Sequence, residues 1–253
     1  VYGFSFDGRH SDEFGLRVFE VVRDIRPPTR DYEVEIPGRH GVWDFGADFG
    51  KRMIEVDCGF IARDDAELQE KVRAAAEWLN PLKGLCQLII DDEPDRFWLA
   101  RYAGQARLET ILGFGRVTLP FVCPDPHAYA LVDDVFTATG PGSYQFNRKG
   151  TATSYPKIEI EGTNGGGNAK ITIAMNGKTL NYTGTLAVGE TLILDSDTIT
   201  AYKTTTNGQV SVINDIDSID FPVAVPGANN LTVSVSGGAT VSKITVTCRS
   251  RWY

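Results

Sequence analysis

The strongest constraint on the fold is a series of short alternating segments in the second half of the chain. KIEIEG, KITIAM, KTLNYTG, ETLILD, TITAYK, QVSVI, NLTVSVS and SKITVTCRS follow one another from Lys157 to Ser250. Each sets apolar side chains at about every second position, the period of a strand that buries one face. Glycine-rich turns separate many of them. Asn176-Gly177, between two alternating runs, is a strong two-residue hairpin signal. No 3.6-residue apolar period interrupts the series. Short strands at this spacing predict an antiparallel sandwich or barrel.

The first half has a different texture. Residues 1–130 hold 5 Ser plus Thr, and residues 131–253 hold 28. Charge shifts as well, from 16 Lys/Arg against 23 Asp/Glu to 9 against 10. A composition break of this kind marks a domain boundary, and the Gly/Pro/Ser/Thr-punctuated stretch VDDVFTATGPGSYQFNRKGTATSYP reads as the junction. The expected division is an N-terminal domain over 1–132 and a C-terminal β-sandwich over 133–253. The N-terminal domain reads as α+β. FGLRVFEVV, RMIEVDCGFIA, LCQLII, RFWLARYAG and RVTLPFVC are strand candidates. One clear helix is predicted at about 64–80. Asp64 can cap it, Glu67 stands three residues on, and Leu68, Val72, Ala75, Ala76 and Leu79 form one stripe before Pro81. The fold class is mainly β.

The formal net charge of −8, with no dense Lys/Arg cluster, argues against sequence-specific nucleic-acid binding and against docking on an anionic membrane surface. No apolar run approaches the ~20 residues of a membrane span, so no membrane insertion is expected. The first residues show no basic region followed by a continuous apolar one, so no signal peptide is expected. The four cysteines form no C-x-x-C pair. Cys58 and Cys248 each extend an alternating apolar run, the pattern of small buried side chains on strands.

The most conspicuous motif is PGRHGVWDFGADFGKR, residues 37–52. A phosphate-cradling loop needs G-x-x-x-x-G-K-[ST] and leads into a helix. Here Gly46 and Gly50 are three residues apart, Arg52 stands where the hydroxyl belongs, and a strand follows. A Gly-punctuated turn before that strand is the better account. His10, His40 and His127 are scattered and form no zinc-binding spacing. Asp91, Asp92, Glu93 and Asp95 read as a charged hairpin tip. Asp215, Asp217 and Asp220 lack the glycine and closing glutamate of an EF-hand calcium loop. No catalytic set, metal site or cofactor site is read from these residues, and the chain is not expected to be an enzyme.

Several pieces together resemble one family. FSFDGRHSDEFGLRV, IPGRHGVWDFGADFGKRMIEVDCGFIA, GRVTLPFVCPDPHAY, GETLILDSD and FPVAVPGANNLTVSV are similar, in order and spacing, to the distal tail proteins (Dit) of siphoviruses, long-tailed non-contractile bacteriophages. The resemblance spans nearly the whole chain. It implies a virion structural protein at the phage tail tip, forming a homo-hexameric ring, single or stacked in two, with a galectin-like sandwich as its second domain. The implied partners are other copies of itself, the tail tube protein, a tail-associated hub protein and a receptor-binding protein. Within that reading Trp43, Phe45 and Phe49 are candidate inter-subunit contacts, because glycine lets backbones approach and aromatic rings supply contact area. The rival reading places the same rings in the domain's own core. A carbohydrate-binding sandwich for host-surface attachment is the alternative function.

Overall fold

The computed structural model describes residues 2–104, 109–111 and 114–253. Backbone contacts divide the chain into two compact units, one running to Leu131 and including Tyr253, the other covering Val132–Trp252.

The first unit is an antiparallel sheet with one α-helix against it. Its strands are β1 (Phe4–Phe6), β2 (Leu16–Arg23), β3 (Thr29–Glu35), β4 (Val42–Phe49), β5 (Arg52–Ile61), β6 (Cys86–Ile90), β7 (Arg96–Tyr102) and β8 (Phe114–Cys123). The main path runs β1–β6–β7–β8–β5–β2, with the two-residue strand Arg9–His10 beyond β1. Along β5, Ile54, Val56, Cys58 and Phe60 are buried at every second position, as the alternation predicts.

The helix α1 spans Asp65–Trp78, and the Asp64 carboxylate accepts from the Glu67 N–H at 2.8 Å. The reciprocal half of a capping box is redirected. Glu67 accepts from the Arg63 backbone N–H at 2.9 Å and pairs with Lys71 at 2.9 Å. These bonds, the Arg63 amide foremost, hold the Glu67 carboxyl down at about 2.

Leu68, Ala75, Trp78 and Leu79 are buried, while Val72 is half-buried and Ala76 exposed. Trp78 is the centre of the aromatic core. Its ring stacks on Phe14 at 4.2 Å and on Phe4 at 5.4 Å, and its Nε1–H donates to the Phe6 carbonyl at 2.8 Å.

The second unit is a sandwich of two antiparallel sheets. Its strands are β9 (Asp134–Thr139), β10 (Gly142–Arg148), β11 (Lys157–Gly165), β12 (Lys170–Met175), β13 (Lys178–Tyr182), β14 (Thr191–Asp195), β15 (Thr200–Thr205), β16 (Gly208–Ser211), β17 (Gly227–Ser236) and β18 (Thr240–Cys248). One sheet runs β9–β18–β11–β14–β15–β16 and the other β10–β17–β12–β13. Ile158, Ile160, Leu192, Leu194, Ile244 and Val246 of the first sheet pack in one buried cluster with Ile171, Ile173, Leu180, Leu231 and Val233 of the second. Asn176 (φ 48°) and Gly177 (φ 84°) make the β12–β13 turn, with Met175 opposite Lys178. Both central residues are left-handed, as a type I′ turn requires.

Two segments differ from the sequence reading. The stretch read as a junction contains β9 and β10, each paired along its length. The glycines and prolines that suggested a linker are turns between strands, and the intervening Ser, Thr and Asn suit exposed strand faces. The stretch read as a Gly-punctuated turn, residues 37–52, contains a full strand, β4, which pairs with β3.

Candidate functional site

β3 and β4 form a two-stranded sheet of their own. Every residue of both strands is exposed. A lone two-stranded hairpin is marginally stable in water, and burial is the usual fate of rings such as Trp43 and Phe45. This hairpin leaves Tyr32, Val34, Ile36, Trp43 and Phe45 uncovered, with Trp43 48% and Phe45 67% exposed. The rival reading of these rings as the domain's own core is therefore not the arrangement observed.

The register divides the hairpin into two chemically distinct faces. Residues directly opposite one another share a face, and so do residues two apart on one strand. Val34 lies opposite Trp43. Tyr32, Ile36 and Phe45 join that face, making it apolar and aromatic. Glu33 lies opposite Asp44 and Glu35 opposite Val42. Asp31 joins that second face, making it acidic.

Between the pairs Glu33–Asp44 and Asp31–Ala47, β4 carries one residue more than β3. Gly46, at φ +97°, takes the left-handed conformation that this bulge needs. The extra residue reverses the side on which later β4 side chains emerge. Trp43 and Phe45 thus share the aromatic face, while Phe49 emerges on the other, at the hairpin's foot, with its ring 5.2 Å from that of Tyr253.

The foot is firmly tied. Gly50 N–H donates to the Pro28 carbonyl at 2.6 Å. The buried Arg52 guanidinium donates to the carbonyls of Asp24 at 2.8 Å and Pro126 at 2.9 Å. On the ribbon itself, the Tyr32 hydroxyl donates to Asp48 at 2.9 Å, and the Arg39 guanidinium lies 4.5 Å from the Trp43 ring centroid. A rigid foot under an uncovered ribbon is the geometry of an arm.

The other sequence candidates are engaged locally. Asp91 accepts from Gly3 N–H at 2.8 Å and contacts His10 at 3.3 Å. Asp92 and Glu93 pair with Arg23, and Asp95 with Arg96. Asp217 holds Asn181, and Asp220 pairs with Lys178. His127 meets Asp125 at 2.7 Å, and His40 lies exposed in the turn between β3 and β4.

Burial pushes the Cys58 and Cys123 thiols up to about 12 and Cys248 to about 11, while Cys86, less buried, is also raised, first by burial and then by Asp7. A thiol needs access and thiolate character to react. A disulfide reagent at pH 8 is accordingly expected to titrate no more than Cys86 in the folded chain and all four cysteines after denaturation. Rapid labelling of two or more thiols in the native state would contradict this.

Two family models divide most of the chain between them. The one described as phage tail protein RIFT-related domain matches residues 12–123, and the one described as siphovirus-type tail component, C-terminal domain, matches residues 149–252. The chain belongs to the siphovirus distal tail protein family. Its role is structural, as a component of the phage tail.

Among solved structures, the Dit protein of phage SPP1 is 17% identical, with a TM-score of 0.79 over 100% of both chains. That likeness carries the two-unit fold of the distal tail protein. A chain of the phage p2 baseplate in its activated conformation with Sr is 8% identical over 98% of each chain, with a TM-score of 0.48, a likeness too loose to bear weight. No curated protein matches this one.

Sequence reasoning singled out Trp43, Phe45 and Phe49; the first two lie on this exposed face beside Tyr32, Val34 and Ile36, which it did not name. The signal was available in DYEVEI, which alternates strictly between charged and apolar residues.

Proposed function

We propose that six copies of this distal tail protein close head to tail into a ring at the tail tip, and that the β3–β4 hairpin joins each copy to the next. The observation that carries the reading is the hairpin itself: fully exposed strands on a tied foot, with five apolar side chains on one face. Fully burying a large apolar side chain is worth about 1.5–3 kcal/mol, so a neighbour that covers Trp43 and Phe45 gains interface energy that solvent does not supply. A cyclic ring uses contacts of this heterologous kind, in which one surface meets a different surface of the next copy.

The ring, single or stacked in two, joins the tail tube protein on one side to the tail-associated hub protein and the receptor-binding protein on the other. Its location is the virion. Fitting together by shape requires no reaction, and no enzymatic role is assigned. The SPP1 protein is described as a paradigm of the hub adsorption apparatus in phages infecting Gram-positive hosts, which supports the same place for this chain.

Negative-stain microscopy of the purified full chain tests the closure. Six-fold rings are expected. A field of isolated particles the size of one 27.7 kDa chain would overturn the reading.

A further inference from the structure

An arm that reaches a neighbour needs a seat, and in a head-to-tail ring the seat is another surface of the same chain. At the foot of the hairpin lies a cleft of about 660 Å³. Met53, Val122 and Pro124 give it an apolar lining, and Arg30, Lys51 and Arg101 are its charged residues. Among the described residues no carboxylate lines it. Arg30 approaches Asp48 only at 4.0 Å with both side chains well exposed, and among the described residues Lys51 and Arg101 make no ion pair.

The far end of the hairpin has the complementary chemistry. Glu33 and Glu35 lie on one face beside Asp44, with apolar Val42 opposite Glu35. Among the described residues Glu33 and Glu35 also make no ion pair. Arg39, near this end, is engaged over Trp43 on the aromatic face.

We infer that the acidic end of one copy's hairpin, carrying Glu33, Glu35 and Val42, seats in the cationic cleft at the foot of the next copy's hairpin. The inference rests on the ring reading above and deepens it by naming the two surfaces that meet. The cleft's apolar lining takes Val42 and its cations take the two glutamates. A hairpin cannot fill its own foot cleft. Seven-residue β3 at about 3.4 Å per residue separates tip from foot by roughly 20 Å. The occupant is therefore a second copy. Opposite charges across such a contact fix its register and orientation.

Charge reversal on the full chain tests this, with mass read by light scattering and folding by thermal melting. Lys51→Glu with Arg101→Glu is expected to reduce the assembly from six copies to one, and Glu33→Lys with Glu35→Lys to do the same. Combining all four substitutions is expected to restore the six-copy mass. If the Lys51/Arg101 variant keeps six copies, the seat lies elsewhere and the ring reading stands. If both pairs break the ring and the combination stays monomeric, the proposed pairing is wrong. A monomeric parent chain would remove the ring reading and this inference with it.

Should a reversed variant fail to fold, Glu35→Cys with Lys51→Cys provides the second reading. Oxidation is expected to give a ladder of linked copies that neither single-cysteine control gives. A double variant that assembles but yields no ladder above those controls would overturn the seat.

Discussion

Replacing Trp78 by alanine is expected to lower the stability of the first unit by about 3–5 kcal/mol, the usual cost of removing a buried aromatic side chain. The ring lies between Phe14 and Phe4, with Phe6 at its edge, and it is 2% exposed. Its loss leaves a cavity bounded by three phenylalanines and leaves the Phe6 carbonyl without the indole N–H that donates to it at 2.8 Å. Trp78 also closes the last turn of the domain's one α-helix, so cavity collapse would draw α1 off the sheet. For a unit of this size the cost is a fall in melting temperature on the order of 10 °C or more. Trp78→Phe separates the two contributions. It keeps most of the stacking but not the donor, and about 1–3 kcal/mol is expected from the unpaired carbonyl and the smaller ring. Chemical denaturation measures both. A loss below about 1 kcal/mol for Trp78→Ala would show that this cluster is not the organising core.

Gly162→Ala is expected to be comparably damaging in the second unit, for a different reason. Gly162 sits where the β11–β18 register shifts between Glu161 and Gly162. A Cβ there would stand 2.1 Å from the Thr240 carbonyl oxygen and 2.9 Å from the Val241 Cα. Both obstacles are backbone of the adjoining strand, which β9 pairs from Lys243 onward, so neither can rotate away. Relief requires the two strands to part, breaking ladder hydrogen bonds above the buried pair Ile160 and Ile244. About 3 kcal/mol or more is the expected loss. Gly165→Ala serves as the control: nothing lies within 4 Å of its added methyl, and its effect should stay within about 0.5 kcal/mol. Equal stability of the two variants would contradict the bulge packing.

Much of this architecture could be read from the sequence because its signals are local. The Asp64 cap, the stripe from Leu68 to Leu79 and the Asn176-Gly177 turn each follow from a few consecutive residues. The alternating runs of the second unit are strands whose inward faces meet in one core, so periodicity and burial agree. The hairpin defeated the same logic at two points. In VWDFGADF, Trp43, Phe45, Ala47 and Phe49 alternate with Asp44, Gly46 and Asp48, but the glycines at 41, 46 and 50 read as turn punctuation, and the bulge at Gly46 puts Phe49 on the opposite side from Trp43 and Phe45. The segment consequently read as a loop. In DYEVEI the period is perfect, yet no residue of the strand is buried, since the alternation serves a face that this chain does not cover.

Whether Trp43 and Phe45 belong to a core or an interface was undecidable from residue type, because both environments favour aromatic rings. Exposure rules out the core, and the interface is the reading proposed. The cationic cleft was also beyond reach. Arg30, Lys51 and Arg101 are far apart in sequence, and only the return of β7 and β8 beside the hairpin's foot gathers them.

The central claim is that the hairpin's aromatic face holds the ring together, and the mass of two proteins in solution tests it most directly. By light scattering at matched concentration, the parent chain is expected near 166 kDa, six times its 27.7 kDa. The Trp43→Ala/Phe45→Ala variant is expected at 27.7 kDa with the parent's circular dichroism spectrum, since neither ring is part of the buried core. A variant that keeps the six-copy mass, or a parent chain that stays monomeric at every concentration, would contradict the account.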